Sequence, residues 1–169
     1  MSAEHNSGAA RSLYTAEERR RRDATPWTLV QGVLAPLQFA AMLVSLALVG
    51  RFLVTGEGLG AATASVLVKT AALYAIMVTG SLWEKAVFDR YLFAPAFYWE
   101  DMVSMLVLAL HTVSVAVMLL DLGAPAARFA VALAGYAAYA VNAGQFVLKL
   151  RAARRDAKAG ATLAASPAR

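Results

Sequence analysis

Residues 69–111, KTAALYAIMVTGSLWEKAVFDRYLFAPAFYWEDMVSMLVLALH, decide the fold. Two apolar runs, one ending near Leu82 and one beginning near Met102, flank a connection that carries Trp83-Glu84-Lys85 and Phe97-Tyr98-Trp99-Glu100-Asp101. The runs have the length and composition of membrane helices. Five ionisable residues, Lys69, Glu84, Glu100, Asp101 and His111, sit in or at the edge of them. Charge is costly in hydrocarbon, so these five are the first candidates for function.

Working outward, four apolar spans are expected at about residues 28–49, 61–82, 102–120 and 126–148, each long enough at ~1.5 Å per residue to cross a hydrocarbon core of ~30 Å. Of the 169 residues 60% are hydrophobic and 16% charged, against roughly 45–50% and 25% in soluble domains. The chain is therefore predicted to be all-α: a polytopic membrane protein with a four-transmembrane-helix bundle. Arg11 and Arg19 to Arg22 precede the first span, and Lys149, Arg151, Arg154, Arg155, Lys158 and Arg169 follow the last. Basic residues just outside apolar spans mark the cytoplasmic side, so both termini are expected there, with the 83–101 connection.

Three regions follow: a basic N-terminal tail, 1–26; the membrane domain, 27–150; and a basic C-terminal tail, 151–169, disordered toward its end. Thr15 and Glu18 fit a capping box, which predicts an interfacial helix at about 15–24. The segment from Gly50 to Gly60 reads as a turn. Ala130, Ala134 and Ala138, with Ala140 and Gly144, repeat at a spacing that lets helices approach closely, so the fourth span is expected to pack centrally on that stripe.

With no cysteine in the chain, disulfides, cysteine-ligated metals and thiolate catalysis are excluded. No base-reading element accompanies the net charge of +5, so nucleic acid is not an expected partner, whereas the lipid bilayer is. No phosphate-binding glycine loop, metal-binding motif or nucleophile elbow occurs, and neither a cofactor nor a metal site is expected.

On the third span, offsets of eleven and seven residues put Glu100 and Ser104 within about 20° of His111. This stripe runs inward from the interface. Lys69 admits two readings: a structural ion pair or snorkelling cation, or a partner for an anionic substrate group. Gln31 and Gln38 share a face of the first span and either bind a neighbouring helix or line a polar pocket. Trp83 and Trp99 suit an interfacial belt.

Several blocks carry a family resemblance: Leu13-Tyr14-Thr15, Pro26-Trp27-Thr28-Leu29-Val30-Gln31-Gly32, Met77-Val78-Thr79-Gly80-Ser81-Leu82-Trp83-Glu84-Lys85, Trp99-Glu100-Asp101, Leu108-Ala109-Leu110-His111-Thr112 and Asn142-Ala143-Gly144-Gln145-Phe146-Val147-Leu148-Lys149. In this order the chain resembles the 3-vinyl (formerly 2-vinyl) bacteriochlorophyllide hydratases of phototrophic bacteria over about residues 13–155. The resemblance implies a bacterial inner membrane location and addition of water to the C3 vinyl group of chlorophyllide a or 3-vinyl bacteriochlorophyllide a. The implied partners are this magnesium tetrapyrrole, water and other bacteriochlorophyll biosynthesis enzymes.

Such chemistry needs an acid to protonate the terminal vinyl carbon, a group to position water and a flat apolar pocket. Glu84 or Glu100 is the expected proton donor, with Asp101 as the companion that orients water and stabilises the developing cation. Lys85, Arg90 or Lys69 is expected to hold the propionate, and His111 to ligate the pigment magnesium or relay protons. Trp83, Trp99, Gln31 and Gln38 complete the expected substrate-binding set. The alternative is a non-enzymatic pigment carrier, for which His111 and the aromatic residues suffice.

Overall fold

The structure, a computed structural model, describes residues 13–164. The expected disorder at the end of the C-terminal tail falls at 165–169 and, like the first twelve residues of the N-terminal tail, lies outside the described residues. Among these the regular structure is five helices: α1 (Ala16–Ala24), α2 (Pro26–Thr55), α3 (Leu59–Phe88), α4 (Tyr98–Leu119) and α5 (Pro125–Ala164). Four of them, α2, α3, α4 and Pro125–Arg155 of α5, are long and apolar enough to cross a membrane. The protein is thus an all-α, multi-pass membrane protein, as its composition requires.

The capping box at the start of α1 forms as expected. Glu18 N–H donates to Thr15 Oγ1 at 3.2 Å and Thr15 N–H to Glu18 Oε2 at 2.7 Å. Helix α2 runs through Pro36, which leaves the carbonyl four residues back, that of Gly32, without its helical partner; both residues line a cleft between α2 and α5.

The expected turn at 50–60 is much shorter in the structure. Helix α2 continues through Arg51 to Thr55, because Thr55 Oγ1 donates to Arg51 O at 2.8 Å and the Arg51 guanidinium reaches Glu57 at 3.2 Å. The chain then reverses at Gly56 (φ +73°) and Gly58 (φ +84°), left-handed positions that glycine adopts without steric cost. Likewise α5 runs on past Arg151, where a tail was expected.

Helices α2 and α3 pack along one another, as do α4 and α5, with sparser contact between α2 and α5. The core between the pairs is built from Met42, Val49, Val66, Leu73, Val107, Met118, Phe129, Ala132 and Tyr136. Most of the alanine stripe of α5 does not face it: Ala130, Ala134 and Ala140 are exposed and only Ala138 packs against the core, while Phe129, Ala132, Tyr136, Tyr139 and Asn142 are buried. Rotation of α5 is set by its large aromatic and polar side chains, whose burial outweighs what alanines gain by close approach.

A polar network joins all four spans at the centre. Tyr136 Oη lies 2.6 Å from Ser45 Oγ, which is 2.8 Å from Ser65 Oγ. Lys69 Nζ lies 2.5 Å from His111 Nε2 and 4.3 Å from the centroid of the Tyr139 ring. His111 Nδ1 is 2.8 Å from Val107 O; a carbonyl only accepts, so Nδ1 carries the proton and Nε2 accepts from Lys69. Lys69 and His111 are 0% exposed. In lipid such polar groups have no alternative partners, which makes this network the registration point of the bundle.

Candidate active site

The site is assembled where the α3–α4 connection folds back onto its own helices. Helix α3 ends at Asp89 (φ +61°), whose N–H donates to Lys85 O at 3.1 Å, and four residues later Phe93 adopts φ +59°. A left-handed backbone at non-glycine residues is uncommon and costs energy, and such positions persist where surrounding bonds hold them. Here they aim two consecutive N–H groups inward: Phe93 N–H donates to Asp101 Oδ2 at 2.8 Å, and Ala94 N–H to Glu84 Oε2 at 3.2 Å.

The two carboxyls so held are close neighbours. Like charges at short range in a buried site repel, so such a pair is suited to share one proton. Glu84 and Asp101 are 5% and 4% exposed. Tyr14, Trp83, Phe88, Phe97 and Phe146 pack ring against ring beside them, with centroids 5.7–6.3 Å apart. Burial pushes the Tyr14 phenol above its ordinary pKa against the lowering effect of Arg22. Tyr14, Trp83, Phe97 and Phe146 of this cluster line the same cleft as Asp101.

Glu100 has a different partner: Lys149 Nζ lies 2.6 Å from its Oε2. Ser104 Oγ donates to Glu100 O at 2.9 Å and accepts from Asn142 Nδ2 at 2.7 Å. The stripe read from the sequence is thus the buried face of α4, with Glu100, Ser104 and His111 each held by a residue of another helix or by its own helix backbone.

A cleft of about 1350 Å³ opens between α2 and α5, with α3 and α4 at its back and α1 at its mouth. That exceeds the roughly 300–1,000 Å³ of ordinary small-molecule sites and suits a macrocycle. Its walls are mostly apolar, from Ala35, Phe39, Leu73, Ile76, Met77 and Val147 among others. Asp101 and Ser104 line it, as do Gln31, Gln38, Trp83, Tyr139 and Asn142. The amide Nε2 of Gln31 donates to Thr79 Oγ1 at 2.7 Å, so this residue both joins α2 to α3 and faces the cleft.

Of the residues expected from the sequence, the cleft brings together Asp101, Trp83, Gln31 and Gln38. Glu84 stands behind Asp101, and Glu100 is engaged by Lys149. Lys69 and His111 belong to the central network, away from the cleft lining. Lys85 pairs with Asp89 at 2.6 Å and holds that exposed carboxyl below its usual pKa. Arg90 is exposed, and Trp99 is 72% exposed on the outer surface.

The cleft's own cations, Arg19, Arg22 and Arg154, were read from the sequence only as topology signals. Asn142 and Tyr139 lie on the fourth span, and nothing in their spacing links them to Ser104 or Asp101.

The profile of the 2-vinyl bacteriochlorophyllide hydratase family matches residues 14–152. The chain is 62% identical over 148 residues to the 2-vinyl bacteriochlorophyllide hydratase of Rhodobacter capsulatus, covering 87% of this chain and 85% of that one. It is 59% identical over 150 residues to the enzyme of the same name from Cereibacter sphaeroides, covering 88% and 92%. No solved structure matches the chain. The fold thus stands without an experimental counterpart, but the sequence relationship is unambiguous: this chain belongs to the 2-vinyl bacteriochlorophyllide hydratase family.

Proposed function

We infer that the protein adds water across the C3 vinyl group of chlorophyllide a or 3-vinyl bacteriochlorophyllide a, giving the 3-(1-hydroxyethyl) product of bacteriochlorophyll a biosynthesis. Family membership supports the reaction class. The observation that carries the assignment of residues is a buried carboxyl pair, Glu84 and Asp101, held by two consecutive backbone N–H groups at the wall of a macrocycle-sized apolar cleft.

On this reading Asp101, the member that lines the cleft, delivers its proton to the terminal vinyl carbon. The new C–H bond uses the vinyl π electrons and leaves a cation on the inner carbon, delocalised into the macrocycle. The carboxylate left on Asp101 stabilises that cation. Water then forms the C–O bond and gives a proton back to the carboxyl pair, which ends as it began. Asn142 Oδ1, which has no hydrogen-bond partner among the described residues, accepts from the attacking water. Glu84 is the partner carboxyl behind Asp101, and Glu100, paired with Lys149, holds α4 to α5.

The basic residues along the cleft support a cytoplasmic-facing mouth by the positive-inside rule, in the bacterial inner or intracytoplasmic membrane. A flat pigment then enters from the bilayer or its cytoplasmic surface, and water follows through the same opening.

The test is anaerobic incubation of the purified protein with chlorophyllide a. A blue-shifted, more polar 1-hydroxyethyl product is expected, and its loss in Asp101→Asn. Stoichiometric pigment binding by folded protein with no product would establish a carrier instead.

A further inference from the structure

Most arginines of α1 are already spoken for. Arg20 and Arg21 reach Glu17 at 2.6 and 3.1 Å, and Arg22 pairs with Asp23 at 2.7 Å while its guanidinium sits 4.9 Å above the Tyr14 ring. The Arg19 guanidinium, and that of Arg154 on α5, have no ion-pair or hydrogen-bond partner among the side chains described between residues 13 and 155. These two, far apart in sequence, come to the same cleft mouth. The other acids of the lining are Asp23, tied to Arg22, and Asp101.

Their height above the reacting groups follows from helix geometry. Lys149 touches Glu100, the neighbour of Asp101, and so marks the level of the acid pair on α5. Arg154 lies five residues further, or about 7.5 Å along the axis. The start of α1 is held against the end of α3 by the stack of Tyr14 on Phe88, with ring centroids 5.9 Å apart. The cleft thus carries two guanidiniums, from α1 and from α5, along the same lining as Asp101.

We propose that Arg19 and Arg154 form a carboxylate subsite at the cleft mouth, which takes the free propionate of the pigment and makes the enzyme selective for the free acid over its ester. The proposal rests on the hydratase reading above, because it is the vinyl-bearing ring that must lie beside Asp101. A guanidinium matches a carboxylate in a two-bond fork, geometry an ester oxygen cannot repay. Anchoring at the mouth also orients the macrocycle in a cleft whose apolar walls offer little rotational preference.

The experiment measures equilibrium binding and turnover separately, with chlorophyllide a and its methyl ester, in wild type and in the Arg19→Gln/Arg154→Gln double variant. Expected are a wild-type preference for the free acid of about tenfold or more, and loss of about tenfold in free-acid binding and KM in the double variant, with kcat and ester binding little changed. Equal wild-type binding of acid and ester overturns the proposal. So does a double variant that keeps the preference, or one that loses acid and ester alike, as arginines serving lipid phosphates or the fold would. Binding preference without wild-type turnover overturns the hydratase reading and leaves the subsite standing.

Discussion

The carboxyl of Asp101 on α4 lies beside that of Glu84 on α3, and each accepts an N–H from the connection between the two helices. One member faces the cleft and the other does not. That asymmetry divides their work, and mutation can separate it. Asp101→Asn is expected to lower kcat by about 10²–10⁴-fold, the usual contribution of a positioned acid. Glu84→Gln keeps an acceptor for Ala94 N–H and a donor for Asp101, so it is expected to fold normally and lose about tenfold or more. Product formation in membranes decides this, and near-wild-type rates in both variants would sink the assignment.

Glu100 is the control. Its ion pair with Lys149 bridges α4 and α5 at 2.6 Å, with the Glu100 side chain 10% and the Lys149 side chain 27% exposed. Lys149→Met strands a nearly buried carboxylate and is expected to cost about 1–3 kcal/mol. Adding Glu100→Gln removes the stranded charge and is expected to recover most of that loss in a thermal melt. Glu100→Gln alone should retain turnover, since Glu100 does not reach the cleft; a collapse of kcat with an unchanged melting temperature would return it to the chemistry.

The sequence carried the four spans because apolar length is a local property, and the capping box at Thr15 because it spans three residues. Spacing along one helix also put Glu100, Ser104 and His111 on one face. What spacing does not carry is the partner on another helix. Lys149 read as a topology signal and is the counter-ion of Glu100, while Lys69 and His111 read as separate candidates and are bonded to each other. The alanine repeat on α5 misled for the same reason: which face turns inward depends on what the other three spans offer. The pairing of Glu84 with Asp101 depends on a connection with left-handed Asp89 and Phe93, conformations that the residue types do not announce.

At the start of that connection Asp89 adopts φ +61° and pairs with Lys85 at 2.6 Å. Asp89→Gly relieves the backbone and loses an exposed pair of small value, so a modest rise in melting temperature is expected at neutral pH. The pH dependence has a definite sign. Lys85 holds the folded-state pKa of Asp89 below its ordinary value, so the pair's contribution is present above about pH 4 and is lost as pH falls through the lower folded value. The advantage of the glycine variant should therefore widen in acid, as melts at pH 7 and pH 3 would reveal. A gap that narrows in acid would contradict this.

Gly135 supplies the sharpest test of the central network. A Cβ added there would stand 3.0 Å from both Cε1 and Nδ1 of His111. The ring has nowhere to go: Nδ1 is fixed by Val107 O at 2.8 Å, Nε2 by Lys69 Nζ at 2.5 Å, and its face by Tyr136 at 5.7 Å between centroids. Gly135→Ala is expected to destabilise the protein by about 1–3 kcal/mol through overpacking. In a His111→Ala background, which opens the space, the same substitution should cost much less, so the two effects should be non-additive. Because neither residue lines the cleft, KM of the folded Gly135→Ala protein should stay near wild type. Additive losses in stability, or a KM that rises with the melting temperature unchanged, would instead make His111 a pigment ligand.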